Sequence, residues 1–573
     1  MTVKRMQRDL LAMSETEYDL VVIGGGIFGA CAAWDAVLRG WSVALVEKGD
    51  FCGGTSANSF KIVHGGIRYL QHGDLFRLRS SCHERSALLR IAPHLVHPLP
   101  IVIPTYGRGK QSKGFLGAGM LLYDALTLDR NRGIRDPARH IPLTRFWDQH
   151  RTLEAFPDLP GKNLSGAAIF YDGQMYNPTR LVLAFLKSAV GQGAQIANYV
   201  EAIRFATEGN RVTGIHANDV RTGNALQIRA RAVLNAAGTW GERLLNRACG
   251  RTVAEPGPYS RDACFVLRRR FSSEYALAVQ GRTHDPDALL SRPARHLFLV
   301  PWRGHTLVGV WHKVYSTGPD EVNVSAEELR SFIEEINWAY PALNISLDEV
   351  TMWNAGLVPF GENEPGSENL RYGKRSRVID HEKTDGLRNL VTLIGIRYTM
   401  GRSDAAKAVD LVGRKLGRIA ARPATDRIPL HGGDIADFSR LVREIASAGM
   451  EPDTAEALAH NHGTACDQVL GLGHRERALL TCLPGSTVTE AEIVHAIRSE
   501  MALTLSDIVF RRTDLATGGH PGNAALERCA DIAARELGWS PMQRRREIAQ
   551  VLSGIPDFQS RDDGSGIARE EKQ

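Results

Sequence analysis

One stretch, Tyr18 to Leu70, limits what this chain can fold into more than any other. It opens with Tyr18, Asp19 and the apolar run Leu20 to Ile23, short, β-branched and ended by glycine, as in a strand buried on both faces of a parallel sheet. Gly24, Gly26 and Gly29 follow as G-x-G-x-x-G. Gly24 permits a tight strand-to-helix turn, Gly26 lets the backbone approach a pyrophosphate, and Gly29 lets the next helix lie close on the sheet. That helix is expected over Ile27 to Arg39, stopped by Gly40 as a C′ glycine, with its N-terminal N–H groups aimed at a diphosphate. A second strand, Ser42 to Val46, ends in Glu47, placed to accept hydrogen bonds from a ribose diol and unsuited to a 2′-phosphate. Strand, glycines, helix, strand and acid in this order mark a dinucleotide site far more specifically than the glycines alone.

A nicotinamide-binding domain usually continues with another helix. Here a glycine- and hydroxyl-rich loop follows: Gly53, Gly54, Thr55, Ser56, Ser59, Lys61, then His64-Gly65-Gly66-Ile67-Arg68-Tyr69. Such a loop could wrap a second phosphate and pass beneath a planar ring. The run T-S-x-x-S-x-K-x-x-H-G-G-x-R-Y resembles that of the FAD-dependent glycerol-3-phosphate dehydrogenases. The resemblance implies bound FAD, without a covalent link through His64, and contacts from Gly24, Gly26, Gly29, Glu47, Thr55, Ser56, Ser59, Lys61, His64 and Gly66. It also implies an α/β fold of the two-dinucleotide-binding-domain type, with an antiparallel-sheet substrate domain and an all-helical C-terminal domain.

The remaining chain can be set against that expectation. Helix is expected over His83 to Ile91, and a short strand at Ile101 to Ile103 among prolines. Pro142 to Pro160 reads as loop, and Ala167 to Asp172 as a strand. Asn177 caps a helix that has Pro178 at its first position, and Gln195 to Ala202 reads as one strand. Val212 to Ala217 and Ala225 to Ala230 suggest a hairpin around Thr222-Gly223-Asn224. A separate buried strand, Ala232 to Ala236, leads into Ala237-Gly238-Thr239-Trp240, a turn similar to the second nucleotide-contacting turn of such flavoproteins. Residues 260–380 alternate apolar and polar with period two, expected of an antiparallel sheet with one buried face. A helix capped by Ser325 interrupts them. Asn389 to Ile394 returns to a buried strand, followed by Gly395-Ile396-Arg397-Tyr398-Thr399 and a helix from Ser403. Residues 435–552 are helical in pattern. The expected division is an FAD unit of 18–100, 161–259 and 385–420, a substrate unit of 101–160 and 260–384, and a helical unit of 430–555. Residues 1–17 and 556–573 read as flexible tails.

Composition excludes several classes. The chain has 573 residues, 43% of them hydrophobic, enough for large cores. Its 8 cysteines form no C-x-x-C pair, which argues against a structural metal or disulfide scaffold and for a reducing cytoplasm. The N-terminus does not read as a signal peptide, and no apolar run approaches the ~18 residues of a membrane span. A net charge of +6 without aromatic-interleaved basic motifs gives no reason to expect nucleic-acid binding. Residues 108–135 are apolar in the middle and basic at both ends. They suit either peripheral contact with an anionic membrane or an ordinary core helix. A homodimer is compatible with the sequence.

The resemblance implies hydride transfer from a secondary alcohol to flavin N5, a base for the hydroxyl proton, and electrons passed to a quinone. Its substrate positions transfer unevenly. Arg68 and Tyr69 are present. The family's G-x-R-P reads Gly356-Leu357-Val358-Pro359, so Val358 stands where a second phosphate-binding arginine would be. G-T-T-D reads Gly309-Val310-Trp311-His312. S-K-G-x-H reads Ser260-Arg261-Asp262-Ala263-Cys264, and G-G-K-x-T-T reads Gly395-Ile396-Arg397-Tyr398-Thr399-Met400. Candidate catalytic residues are therefore Arg397, His312 and Arg68. Arg68, Tyr69, Cys264, Val358 and Arg397 are expected at the substrate, with Gly238 and Thr399 at the cofactor. Arg397 keeps the family's positive charge but cannot release its proton, whereas histidine, the residue type at 312, is the side chain suited to exchanging protons under physiological conditions. A flavin oxidase that reduces O₂, and a flavoprotein that binds without catalysis, fit the same cofactor motifs.

Overall fold

A computed structural model describes residues 5–67, 69, 73–107, 113–248, 259–272, 274–282, 296–315, 318–359, 376–418 and 423–558. The opening motif forms as its residues demand. Strand Glu17–Ile23 passes through Gly24 at φ +105° into helix Ile27–Leu38, with Gly26 as the N-cap. Strand Val43–Val46 then pairs in parallel beside the first.

The first sheet runs, from one edge, Arg377–Asp380, Leu390–Ile394, Ala225–Asn235, Glu17–Ile23, Val43–Val46 and Gln195–Ala197. All neighbours after the antiparallel first pair are parallel. Parallel neighbours need crossovers, and a strand covered on both sides must be apolar on both. Leu20 and Val22 accordingly enter a core with helices Ile27–Leu38, Pro178–Gly191 and Gly401–Lys415, while Val21 and Ile23 enter another beneath strands Val200–Glu208 and Arg211–Asp219. Asn177 accepts hydrogen bonds from the Thr179 and Arg180 N–H groups with Pro178 inside the first turn, as expected.

Among the described residues the second sheet has nine strands. Its main path is Val350–Pro359, Tyr259–Leu267, His305–Tyr315, His296–Trp302, Ala276–Gln280, Val96–Tyr106, Leu164–Met175 and Ile62–Val63. Arg145–Trp147 pairs on Leu164–Met175. The period-two signal is realised here. Helix Ala326–Ala339, closed by a Ser325–Glu328 capping box, packs Leu329, Phe332, Ile333 and Ile336 against its apolar face. The six longest helices after residue 430 are Phe438–Ser447, Pro452–His462, Cys466–Arg475, Glu490–Glu500, Asn523–Leu537 and Pro541–Ser553, and they share a core of their own.

Several boundaries differ from the sequence reading. Residues 164–175 and 96–100, assigned to the FAD unit, pair with one another in the second sheet, and 377–380 pairs in the first. Residues 142–160 are not all loop, because Asp148 caps helix Gln149–Ala155 just after strand Arg145–Trp147. Ala225–Asn235 is one strand, its start paired with Arg211–Asp219 as the expected hairpin and its end with Glu17–Ile23. Gln195 to Ala202 is two strands, Gln195–Ala197 and Val200–Glu208. The first residues are not a free tail: Met6 and Met13 are buried, Leu10–Glu15 is helical, and Arg8 is paired with Asp219. Of the C-terminal tail, 559–573 lies outside the described residues.

Candidate active site

The two sheets enclose a cavity of about 1180 Å³. That exceeds the usual volume of a drug-sized ligand site, about 300–1,000 Å³. Among the residues lining it are Gly24, Gly26, Glu47, Thr55, Ser56, Ser59, His64, Gly66, Gly238 and Thr399 from the expected cofactor set.

The local geometry suits a dinucleotide. A Cβ on Gly24 would lie 2.6 Å from the Ala236 carbonyl oxygen, and one on Gly29 would lie 1.9 Å from the Gly24 oxygen. The turn and the helix packing therefore tolerate no side chain at either position. Gly26 faces the cavity, its missing Cβ 3.0 Å from Ser56 Oγ, which accepts from the Ile27 N–H at 3.1 Å. The Glu47 carboxylate accepts from the N–H groups of Gly25 at 2.7 Å and Gly49 at 3.0 Å. Burial raises its pKa, and those two N–H groups act against the rise. Lys61 departs from its expected role. It does not line the cavity; its ammonium donates to Asn354 Oδ1 and lies 4.7 Å from the Trp302 ring centroid, with burial pushing its pKa down to about 8.

Two ionic anchors behind the loops carry no local sequence signal. Asp50 is gripped by both terminal nitrogens of Arg512 at 2.7 Å and by Arg511 Nε at 2.6 Å, and its carboxyl is held down to about 2 despite burial. The arginines sit on the π-helical turn Ile508–Arg512, so the helical domain braces the nucleotide loop directly. Asp172 accepts from the Gly65 N–H at 2.6 Å and from Arg85 at 2.9 Å, fixing the His64-Gly65-Gly66 turn. A Cβ on Gly65 would meet Arg85 at 2.4 Å.

The substrate-side candidates fall on two walls. On one, Arg397 donates to the Tyr69 hydroxyl at 3.1 Å and to Ser81 Oγ at 3.0 Å. Its guanidinium and that of Arg77 lie 5.4 and 4.9 Å from the Tyr69 ring centroid. Arg77, which the sequence reading passed over, lines the cavity and pairs with Asp74 at 3.2 Å. Its place in the first turn of the helix that follows the motif was the available clue. Arg68 lies outside the described residues. The other wall belongs to the second sheet and carries Val358, Asp262, Cys264 and His312. His312 Nδ1 lies 2.6 Å from Asp262 Oδ1. Cys264 is buried, and burial raises its thiol pKa, which leaves it a packing group.

Residues 19–398 match the family model described as FAD dependent oxidoreductase, and residues 423–544 match the C-terminal domain of alpha-glycerophosphate oxidase. A glycerol-3-phosphate dehydrogenase of Synechocystis is 31% identical over 571 residues, covering 96% of this chain and 99% of that one. The mouse mitochondrial glycerol-3-phosphate dehydrogenase is 30% identical, covering 95% of this chain and 74% of the relative. The crystal structure of the Bacillus halodurans glycerol-3-phosphate dehydrogenase complexed with FAD superposes with a TM-score of 0.72 at 24% identity, covering 95% and 96% of the two chains. With the glycine cradle, the acid after the second strand and both family segments in place, the chain belongs to the FAD-dependent glycerol-3-phosphate dehydrogenase family of oxidoreductases.

Proposed function

We propose that this protein oxidises the secondary alcohol of a polyol or polyol phosphate, glycerol 3-phosphate or a related compound, to a ketone and passes the electrons to a quinone. One observation carries the reading: a single cavity holds the dinucleotide cradle together with Arg397, Tyr69 and His312. FAD, when bound, supplies the acceptor for the hydride that leaves the carbinol carbon. The protein's part is to hold the alcohol and take its proton. His312, whose Nδ1 lies 2.6 Å from Asp262 Oδ1, is the proposed proton acceptor. Arg397 cannot act as a base and instead orients the substrate or stabilises developing negative charge.

The pocket favours an anion at the Tyr69 wall, where Arg397 and Arg77 stand, and offers none of the family's second clamp at Val358. A phosphate dianion held on one side only loses about 1.5–3 kcal/mol per missing charge-assisted contact. A neutral or singly charged polyol derivative, or one whose phosphate reaches the Tyr69 wall, therefore fits best.

Electron delivery to a quinone suggests contact with a membrane surface. Among the described residues no helix is long and apolar enough to cross a membrane. Helix Lys113–Leu126 leaves Leu121 and Leu122 exposed at 66% and 48%, with Leu128 beyond it at 77%, an apolar face suited to peripheral docking. Residues 108–112 of the basic flank lie outside the described residues.

The test is anaerobic bleaching of the holoenzyme's flavin by glycerol 3-phosphate, glycerol and larger polyol phosphates, followed by reoxidation with a short-chain quinone or with O₂. Bleaching by at least one polyol and faster reoxidation by quinone are expected. A flavin that no polyol reduces would overturn the reaction, and one reoxidised faster by O₂ would overturn the acceptor.

A further inference from the structure

We infer that the joint between the nucleotide-binding unit and the helical domain is an acid-sensitive latch, closed only while His462 is uncharged, whose opening loosens the loop at Asp50 that faces the cofactor cavity. The joint sets helix Pro178–Gly191 against helices Pro452–His462 and Glu490–Glu500. Arg180 reaches across it, donating from Nε to the Asn461 carbonyl at 3.0 Å, from Nη1 to Glu500 Oε2 at 2.5 Å and from Nη2 to His462 Nδ1 at 3.1 Å. Lys187, two turns along the same helix, donates to the other Glu500 oxygen at 2.7 Å. Arg180, Lys187, His462 and Glu500 are all buried.

This geometry requires a neutral ring. Arginine can only donate, so His462 Nδ1 carries a lone pair, and a second ring proton would set one N–H against another. The neutral ring then bears its proton on Nε2, which lies 3.4 Å from Glu492 Oε1. From helix Glu490–Glu500 His495 also faces His462, with ring centroids 5.6 Å apart, and its Nε2 lies 3.4 Å from Lys187 Nζ and 3.3 Å from Glu500 Oε1. Glu500 is thus shared by two cations, and burial pushes Glu492 up to about 7. An added imidazolium would meet an excess of positive charge away from water.

The same helix carries a second neutral ring. His460 Nδ1 lies 2.6 Å from the His94 carbonyl oxygen, and its ring stacks on Tyr176 at 4.1 Å, with His97 at 5.6 Å and Glu456 at 3.9 Å from Nε2. Burial, with Arg139 nearby, pushes His94 down to about 3 and His97 to about 4. In the linker, His431 faces Lys187 and Arg180 and is pushed down to about 2, chiefly by burial. Burial likewise holds His460, His462 and His495 below the ordinary histidine range.

Arg512 connects the joint to the cofactor loop. Its Nε donates to the Glu500 carbonyl at 3.0 Å, its own carbonyl accepts from Arg180 at 3.3 Å, and its terminal nitrogens grip Asp50, which lines the cavity. Opening returns each ring to its ordinary pKa of 6.5. Closure is therefore fully stable above that value, and each ring lowers the closed-to-open ratio about tenfold per pH unit below it. Glu492 acts oppositely, because the closed joint lets it bind a proton from about pH 7 and the open one only near its ordinary 4.5. His460, His462 and His495, less this offset, leave about two protons, or about a hundredfold per pH unit.

The experiment uses the FAD-loaded protein and follows backbone hydrogen exchange, corrected for the intrinsic rate at each pH, together with the rate of FAD release by fluorescence. Opening of helix Pro452–His462 and of residues 49–56 should rise about a hundredfold per pH unit from about pH 6.5 to about 5.5, with FAD released faster over the same range. His462→Asn keeps an acceptor for Arg180 that does not titrate. It should open within about threefold of native at about pH 7.5 and rise only about tenfold per unit below about 6.5. In the native protein, exchange of the imidazole C2 hydrogen, mapped by mass spectrometry, should place the His462 midpoint below about 5.5.

A native joint whose opening does not change over this range, or a His462 ring that titrates at its ordinary value, would overturn the inference, and both measurements stand if His462→Asn fails to hold FAD. A His462→Asn protein with the native slope would overturn the assignment of the latch to His462. Acid opening without faster FAD release would overturn its link to the cofactor loop.

Discussion

Val358→Arg is the perturbation that most directly interrogates the substrate wall. Val358 is half-buried on the cavity face opposite the Arg397 and Arg77 side, and it pairs with Ser260 in register. A guanidinium there would give a phosphate a charge-assisted contact from the second wall, worth about 1.5–3 kcal/mol, or roughly ten- to a hundredfold in affinity. Asp262, two residues along the facing strand, competes for the same guanidinium. A partly exposed pair of this kind is worth up to about 1 kcal/mol, so the expected gain lies near the lower end. We expect kcat/KM for glycerol 3-phosphate to rise about tenfold, with no gain for glycerol, which has no anion to bind. Losing the valine should cost stability on the order of 1 kcal/mol, read as a small fall in Tm. Steady-state kinetics with a dye acceptor measure both substrates. If the native enzyme already oxidises glycerol 3-phosphate at about 10⁴ M⁻¹s⁻¹ or better and the substitution adds nothing, the reasoning about this wall is wrong.

Acid precipitation of the holoenzyme should release a yellow supernatant, as non-covalent FAD requires. Gly24→Ala, with φ at +105° and its new Cβ 2.6 Å from the Ala236 oxygen, should weaken FAD binding at least about tenfold by fluorescence titration. Arg512→Ala leaves buried Asp50 with Arg511 and Asn198 and should cost about 3 kcal/mol in denaturant unfolding. Because the folded-state pKa of Asp50 is depressed to about 2 from an ordinary 3.8, its stabilisation is fully present above about pH 4 and lost as pH falls towards 2. Asp50→Asn should therefore flatten the acid limb of stability, and an unchanged limb would contradict the assignment. Co-sedimentation with anionic vesicles should be marked at low salt and reduced at high salt, and should drop in Leu121→Glu/Leu122→Glu. Equal recovery in the supernatant with and without vesicles would remove the membrane surface from the proposal.

Local rules decided a large part of this molecule. Gly24, Gly26, Gly29 and Glu47 lie where a strand-turn-helix unit must place them, because their steric and hydrogen-bonding roles involve residues close along the chain. Asn177 and Ser325 cap their helices for the same reason, and alternation was enough to foresee the antiparallel sheet. Tertiary structure decided what pairs with what. Ala225 to Ala230 and Ala232 to Ala236 read as separate strands, yet they form one strand whose two ends have different neighbours, which only contacts from elsewhere in the chain decide. The pairing of Asp262 with His312 spans 50 residues and depends on the register between two strands, where a slip of one strand by one residue would turn its side chain to the other face. The grip of Arg512 on Asp50 spans 462 residues and exists only because the helical domain docks on the nucleotide loop. Propensity and periodicity act over a few residues, whereas the ion pairs that brace and tune this site form only after distant surfaces have met.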